Sequence, residues 1–129
     1  ALGDVIRELG TGVYIAGIIS NVLNIKMATV GLFIISCLMA FSTGTSWGTF
    51  AVMIPIAIPM AMELNGAIPM FLGAVLGGGI FGDHCSPISD TTIISSMASG
   101  SDHIDHVRTQ MPYAIIGGAI AISLYFFLA

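Results

Sequence analysis

The chain has 129 residues, of which 56% are hydrophobic and 8% charged, with a formal net charge of −4. A soluble domain carries roughly 25% charged residues, so this chain lacks the charge to cover a water-facing surface, and its mean hydropathy of +0.99 points to lipid. Arg7, Lys26 and Arg108 are too few for a nucleic-acid surface, and Cys37 in an apolar run with Cys85 in a polar one is no disulfide framework.

In chain order, residues 1–9 read as an amphipathic stretch whose Asp4, Arg7 and Glu8 suit a membrane interface. Apolar pieces follow at 12–23, 27–41, 49–62, 67–81 and 110–128, marked off by Gly, Pro and charge. As one helix, residues 27–62 would measure about 54 Å, too long for a hydrocarbon core of about 30 Å, whereas each half is only about 22 Å. Between the halves lies Ser42-Thr43-Gly44-Thr45-Ser46-Trp47-Gly48, so a re-entrant helical hairpin with a polar tip is expected over 27–62. Trp47 reads as packing, and Glu63 beside Asn65-Gly66 as interfacial.

Residues 67–99 repeat the design as a broken helix. An apolar half passes through Gly77-Gly78-Gly79, a polar segment runs from Asp83 to Asp90, and a short second half follows at 91–99. Pro87 lacks an N–H and disfavours helix at Ser86, which enforces the break. Asp102-His103-Ile104-Asp105-His106-Val107-Arg108 reads as a solvated, pH-responsive loop. Its His103 and His106, with Asp102 or Asp105, have the spacing of a transition-metal site, but no cysteine or second histidine pair accompanies them. Residues 110–128 are long enough for a last transmembrane helix, and Tyr125-Phe126-Phe127 suits a bilayer interface. The expected fold is an all-α membrane protein: a helical bundle with a re-entrant hairpin and a discontinuous transmembrane helix. With Ala1 at its start and an apolar run at its end, the chain reads as the C-terminal part of a longer polypeptide.

The chemistry lies in the two polar breaks. Ionisable groups at membrane depth are expensive and mark an ion, proton or substrate path, and short, interrupted hydrophobic segments mark transporter sites. A small hard cation takes carboxylate, hydroxyl and carbonyl oxygens. The second break offers Asp83, Ser86, Ser89, Asp90, Thr91 and Thr92, and the first offers Ser42, Thr43, Thr45, Ser46 and Thr49. A carboxylate there can hold a proton or a cation but not both, and that competition is all that coupled exchange requires. Asp83 ranks first because it has no helix ahead of it to cap, whereas Asp90 precedes Thr91-Thr92-Ile93-Ile94 and can cap a helix start. His84 is a candidate proton relay, with a buried neutral histidine as the plainer alternative. A membrane metalloenzyme using Asp83, His84 and Cys85 ranks last, since three consecutive ligands cannot face one metal without a sharp turn.

The run Gly82-Asp83-His84-Cys85-Ser86-Pro87-Ile88-Ser89-Asp90-Thr91-Thr92-Ile93, continued through Asp102 to Gln110, closely resembles the C-terminal region of NhaC-type Na⁺/H⁺ antiporters. Residues 42–49 are similar to the same family's pattern. The resemblance implies a multi-pass secondary transporter of the cytoplasmic membrane, not an enzyme, exchanging Na⁺ for H⁺ in sodium and pH homeostasis with no cofactor. The family also holds malate/lactate exchangers, so a carboxylate substrate is the alternative. It is similar to the wider ion-transporter superfamily, in which each half carries a hairpin and a broken helix in inverted repeat. This chain would be one such half, about half of the family's length, with the N-terminal half of the same polypeptide and the bilayer as its partners.

Overall fold

The computed structural model describes residues 2–20 and 24–129. Among these residues there are seven helices and no strand: α1 (Leu2–Glu8), α2 (Thr11–Ser20), α3 (Ile25–Thr43), α4 (Ser46–Glu63), α5 (Ile68–Cys85), α6 (Asp90–Ser99) and α7 (His103–Leu128). Residues 21–23, the end of the first expected apolar piece, lie outside the described residues. Four helices, α3, α4, α5 and α7, are long and apolar enough to cross a membrane. The protein is all-helical and of membrane composition, as expected.

The helices run further into polar sequence than their apolar runs suggest. Asn24 caps α3 by accepting from the Met27 amide at 2.9 Å, and Gly44 closes it in the left-handed region at φ 68°. Ser42 and Thr43 stay helical because their hydroxyls donate back to the Met39 carbonyl at 3.0 and 2.8 Å. Thr45 then caps α4, its hydroxyl accepting from the Gly48 amide at 3.3 Å. The seven-residue polar turn expected between the two helices is therefore only Gly44-Thr45. The helices reach 19 and 18 residues, about 28 and 27 Å, instead of two short halves.

The last helix also starts earlier than expected. Asp102 accepts from the amides of Ile104 at 2.9 Å and Asp105 at 3.2 Å, so residues 103–108 form its first turns. The expected solvated loop shrinks to the few residues before this cap.

At the centre, α5 packs against α3, α4 and α7. It runs parallel to α3, with one contact per turn. A Cβ at Gly78 would collide with the Phe33 carbonyl, and one at Gly82 with that of Cys37. One turn further, the Ser86 hydroxyl donates to the Phe41 carbonyl at 2.8 Å. Glycine at Gly78 and Gly82 is thus what lets the two backbones touch, as small residues do in membrane helix pairs. Phe33 fills the centre, its ring 5.9 Å from that of Phe81 and 5.6 Å from that of Tyr125. Because Gly118 faces Phe81 while Tyr125 reaches Gly77 and Gly73, α7 descends antiparallel to α5. On the other side α1 and α2 lie along α4. There the backbone at Gly12 meets the Pro55 carbonyl, whose helical donor is missing because Pro59 has no N–H.

A methyl group at the α3–α5 contact should separate the helices. Gly78→Ala in the full-length protein is expected to cost about 1–3 kcal/mol and to lower the melting temperature in detergent. Gly117→Ala, which meets nothing within 4 Å in this region, should leave it nearly unchanged. Equal melting temperatures for the two variants would rule out the close contact.

Candidate functional site

The parallel α3–α5 pair brings the two polar breaks to one end of the bundle. Ser86 leaves the helical region at φ −78°, ψ 126°, as expected before Pro87. Only residues 86–89 lie between α5 and α6, so the break is shorter than the expected span from Asp83 to Asp90. Across it sits the α3–α4 turn. Ile88's carbonyl oxygen lies 2.7 Å from where a Cβ on Gly44 would be, a second reason for glycine there.

Asp83 belongs to the last turn of α5, not to an unwound segment, because α-helical bonding persists until Pro87 interrupts it. It is 2% exposed. Ser89 donates to its Oδ1 at 2.9 Å and Thr91 to its Oδ2 at 2.7 Å, and the two hydroxyl oxygens are themselves 2.8 Å apart. Among the described residues no basic side chain bonds to it.

Ser89 occupies the N-cap position of α6 yet makes no side-chain cap bond. An N-cap serine normally accepts from an amide in the first turn, a bond worth about 1 kcal/mol. Here the hydroxyl faces Asp83 and Thr91. A local rule given up for a buried carboxylate is the pattern of a functional position.

Asp90 does not cap the helix. It is the first residue of α6, exposed, and its Oδ1 accepts from the Thr91 amide at 2.8 Å. His84 is exposed and its Nδ1–H donates to the Ile80 carbonyl at 3.0 Å, so the ring is committed to its own helix and shares no hydrogen bond with Asp83. Ser86 is fully buried and spends its hydroxyl on Phe41. Thr92 is buried beside the cluster on α6. At the first break, Thr45 caps α4, Thr49 donates to the Thr45 carbonyl at 3.0 Å, and Ser46 is half-buried. None of Thr43, Thr45 and Ser46 is hydrogen-bonded to Asp83. The tips meet through backbone.

Two features escaped sequence reasoning. Ser36, in the middle of α3, is fully buried with a hydroxyl that has no hydrogen-bond partner. Its only signal is a hydroxyl inside an apolar run. His103 reaches back across the break: its Nε2 lies 2.6 Å from the Pro87 carbonyl and its Nδ1 3.1 Å from the Ser96 hydroxyl. With Asp102 committed to capping, the His103/His106 metal pattern does not assemble. Among the described residues no three His, Cys, Asp or Glu side chains gather around a common point. Cys85 is 6% exposed, more deeply placed than the half-buried Cys37.

Comparison with known proteins finds antiporters. The Bacillus subtilis malate-2H(+)/Na(+)-lactate antiporter is 37% identical over 92 residues, 71% of this chain and 20% of its own length. The Halobacterium salinarum arginine/ornithine antiporter ArcD is 37% identical over 92 residues, 71% of this chain and 19% of its own. The Alkalihalophilus pseudofirmus Na(+)/H(+) antiporter NhaC is 30% identical over 108 residues, 81% of this chain and 23% of its own. This chain therefore spans about a fifth of the length of the curated relatives it matches, not the half that was expected. No solved structure matches it. The family model of the Na⁺/H⁺ antiporters matches residues 1–129, so the chain belongs to the Na⁺/H⁺ antiporter family, a family of membrane transporters rather than enzymes.

Proposed function

We propose that the full-length protein exchanges Na⁺ for H⁺ across the cytoplasmic membrane, and that Asp83 is the carboxylate that carries one or the other. The observation that supports this most is a buried acid bonded to two hydroxyls and, among the described residues, to no basic side chain. An uncompensated buried carboxylate costs several kcal/mol, and a transported cation removes that cost when it binds.

Counting hydrogens supports the proton-loaded form of the cluster. Three short oxygen–oxygen contacts join Asp83, Ser89 and Thr91, and each needs one hydrogen. The two hydroxyls supply two of them. A proton on one carboxyl oxygen of Asp83 supplies the third and closes a ring in which Asp83, Ser89 and Thr91 each donate once, one of the two hydroxyls then accepting from the acid. When the proton leaves, the hydroxyls rotate their lone pairs inward. The carboxylate, the Ser89 and Thr91 oxygens and carbonyls at the end of α5 then suit Na⁺. Ser86 acts by holding the break to α3. Asp90 stands exposed near the cluster as an attracting charge. In this reading Thr43, Thr45 and Ser46 shape the adjoining tip, and His84 lies off the proton route. The α3–α4 pair serves as the hairpin and α5–break–α6 as the discontinuous helix of one repeat. The remainder of the polypeptide completes the transporter.

A second reading, exchange of organic substrates, is favoured by the relatives that antiport malate with lactate and arginine with ornithine. Proteoliposomes of the full-length protein separate the two. Na⁺-dependent proton flux without organic solute supports the first, and flux seen only with malate or an amino acid supports the second.

Within the first reading, Asp83→Asn keeps the size but cannot ionise, and it should abolish dye dequenching on Na⁺ addition to inverted vesicles at every pH. Asp90→Asn should be far milder. Near-normal dequenching in Asp83→Asn would remove Asp83 from the coupling role. Thr91→Val and Ser89→Ala each delete one neutral ligand, so the Na⁺ concentration for half-maximal response should rise about tenfold while exchange persists. An unchanged Na⁺ dependence in both would exclude the hydroxyls from the site.

A further inference from the structure

Ser36 lies in the middle of α3, and its hydroxyl oxygen is enclosed without a hydrogen-bond partner among the described residues. A serine or threonine inside a helix commonly donates its hydroxyl to a carbonyl three or four residues back. Beyond the first turns of α3, α4, α5 and α7, the other such hydroxyls do so. Thr29 bonds to Ile25, Ser42 and Thr43 to Met39, Thr49 to Thr45, Thr109 to Asp105 and Ser123 to Ala119. Ser36 stands apart from them. It is 0% exposed, and a buried polar atom left unmet is costly and calls for an ion, a water or a use. Its oxygen keeps both lone pairs for a ligand.

The α3–α5 contact fixes the flank on which that residue stands. At the middle rung of the pair the Cys37 carbonyl meets Gly82. Ser36 is one residue before Cys37 and Asp83 one residue after Gly82, and one residue turns a helix by about 100°. In parallel helices that face each other, a step back on one and a step forward on the other lead to the same flank. Ser36 and Asp83 therefore share a flank of the pair, offset along the axis by two residues, or about 3 Å. Helix α4 covers this flank, since a Cβ on Gly79, one turn before Asp83, would meet the Phe50 ring. The α3 and α5 residues one turn from the two oxygens are small: Ala40 beside Ser36 and Gly79 beside Asp83.

We propose that Ser36 is a second station for the transported cation: Na⁺ that leaves the Asp83 cluster in the direction away from the break takes the Ser36 hydroxyl oxygen as its next ligand. The station rests on the reading of Asp83 as the ion carrier and extends it by one step along the flank. A hydroxyl oxygen suits a small hard cation, and being neutral it holds the ion more weakly than the carboxylate does. A weaker site next to a stronger one lets the ion move on, as passage between neighbouring sites requires. In the resting protein the same hydroxyl is left unpaired.

The test compares Ser36→Ala and Ser36→Cys with wild type in the full-length protein. Alanine deletes the oxygen, and cysteine replaces it with sulfur, a soft atom that serves a hard cation poorly. In inverted vesicles the Na⁺ concentration for half-maximal dye dequenching should rise about fivefold in both variants, the worth of one neutral ligand. In detergent without Na⁺, Ser36→Ala should melt no lower than wild type, because it removes a polar atom that nothing pairs. An unchanged Na⁺ dependence in Ser36→Ala overturns the station. So does a lower melting temperature without Na⁺, which would show that the hydroxyl serves the fold, by holding a structural water for example. Asp83→Asn in the same vesicles separates this inference from the one it rests on. Near-normal exchange there, with a shifted Na⁺ dependence in Ser36→Ala, faults the Asp83 reading and leaves Ser36 a ligand. Lost exchange there, with an unshifted Ser36→Ala, faults the station alone. A wild type that gives no Na⁺ response overturns both.

Discussion

The arrangement depends on one contact, the direct touch of the α3 and α5 backbones. Three successive turns of α3 offer the carbonyls of Phe33, Cys37 and Phe41, and three turns of α5 answer with Gly78, Gly82 and Ser86. Lipid tails are as apolar as leucine, so membrane helices gain little from hydrophobic burial against each other and depend on packing and polar contacts. The glycine rungs supply the packing and the serine rung the hydrogen bond. Since the pair is parallel, the C-terminal ends of both helices arrive together, and the polar residues that end them share one locality. Any other register would part the Gly44-Thr45 turn from the break that follows Asp83.

Around that pair the chain spends its hydrogen bonds unevenly. Asn24, Thr45 and Asp102 cap their helices, and Gly44 and Gly100 turn left-handed. Ser89, with a hydroxyl able to cap, withholds it from the helix it begins. Its hydroxyl goes instead to a carboxylate which, in a static protein, would be better replaced by an apolar residue.

Much of this was legible in the residues. Low charge, apolar runs and hydroxyl-rich interruptions announced a helical membrane transporter, whereas Asp83, expected in an unwound segment, sits in the last turn of α5. Boundaries were less legible, because polar residues at helix ends were read as loop. Ser42, Thr43 and residues 103–108 are helical since their hydroxyls bond backward or Asp102 caps ahead. The break was drawn too wide for a related reason: Pro87 acts on the residue before it, and helix holds up to Cys85. Gly78 and Gly82 were visible as glycines, but their service to Phe33 and Cys37 requires the register between two distant segments. The same holds for His103 and Pro87, which are neighbours only because α6 is ten residues long and returns the chain to the break.

The short turn at Gly44-Thr45 has a mechanical consequence. With Gly44 wedged against the Ile88 backbone and Ser86 bonded to Phe41, the hairpin end and the break have no slack between them. A displacement of one drags the other, so the two tips travel as a single rigid piece. Under the proposed exchange, the Asp83 cluster would open without prising these tips apart, by sliding along the thinly packed flank of α6 and α7 or between this whole unit and the rest of the polypeptide.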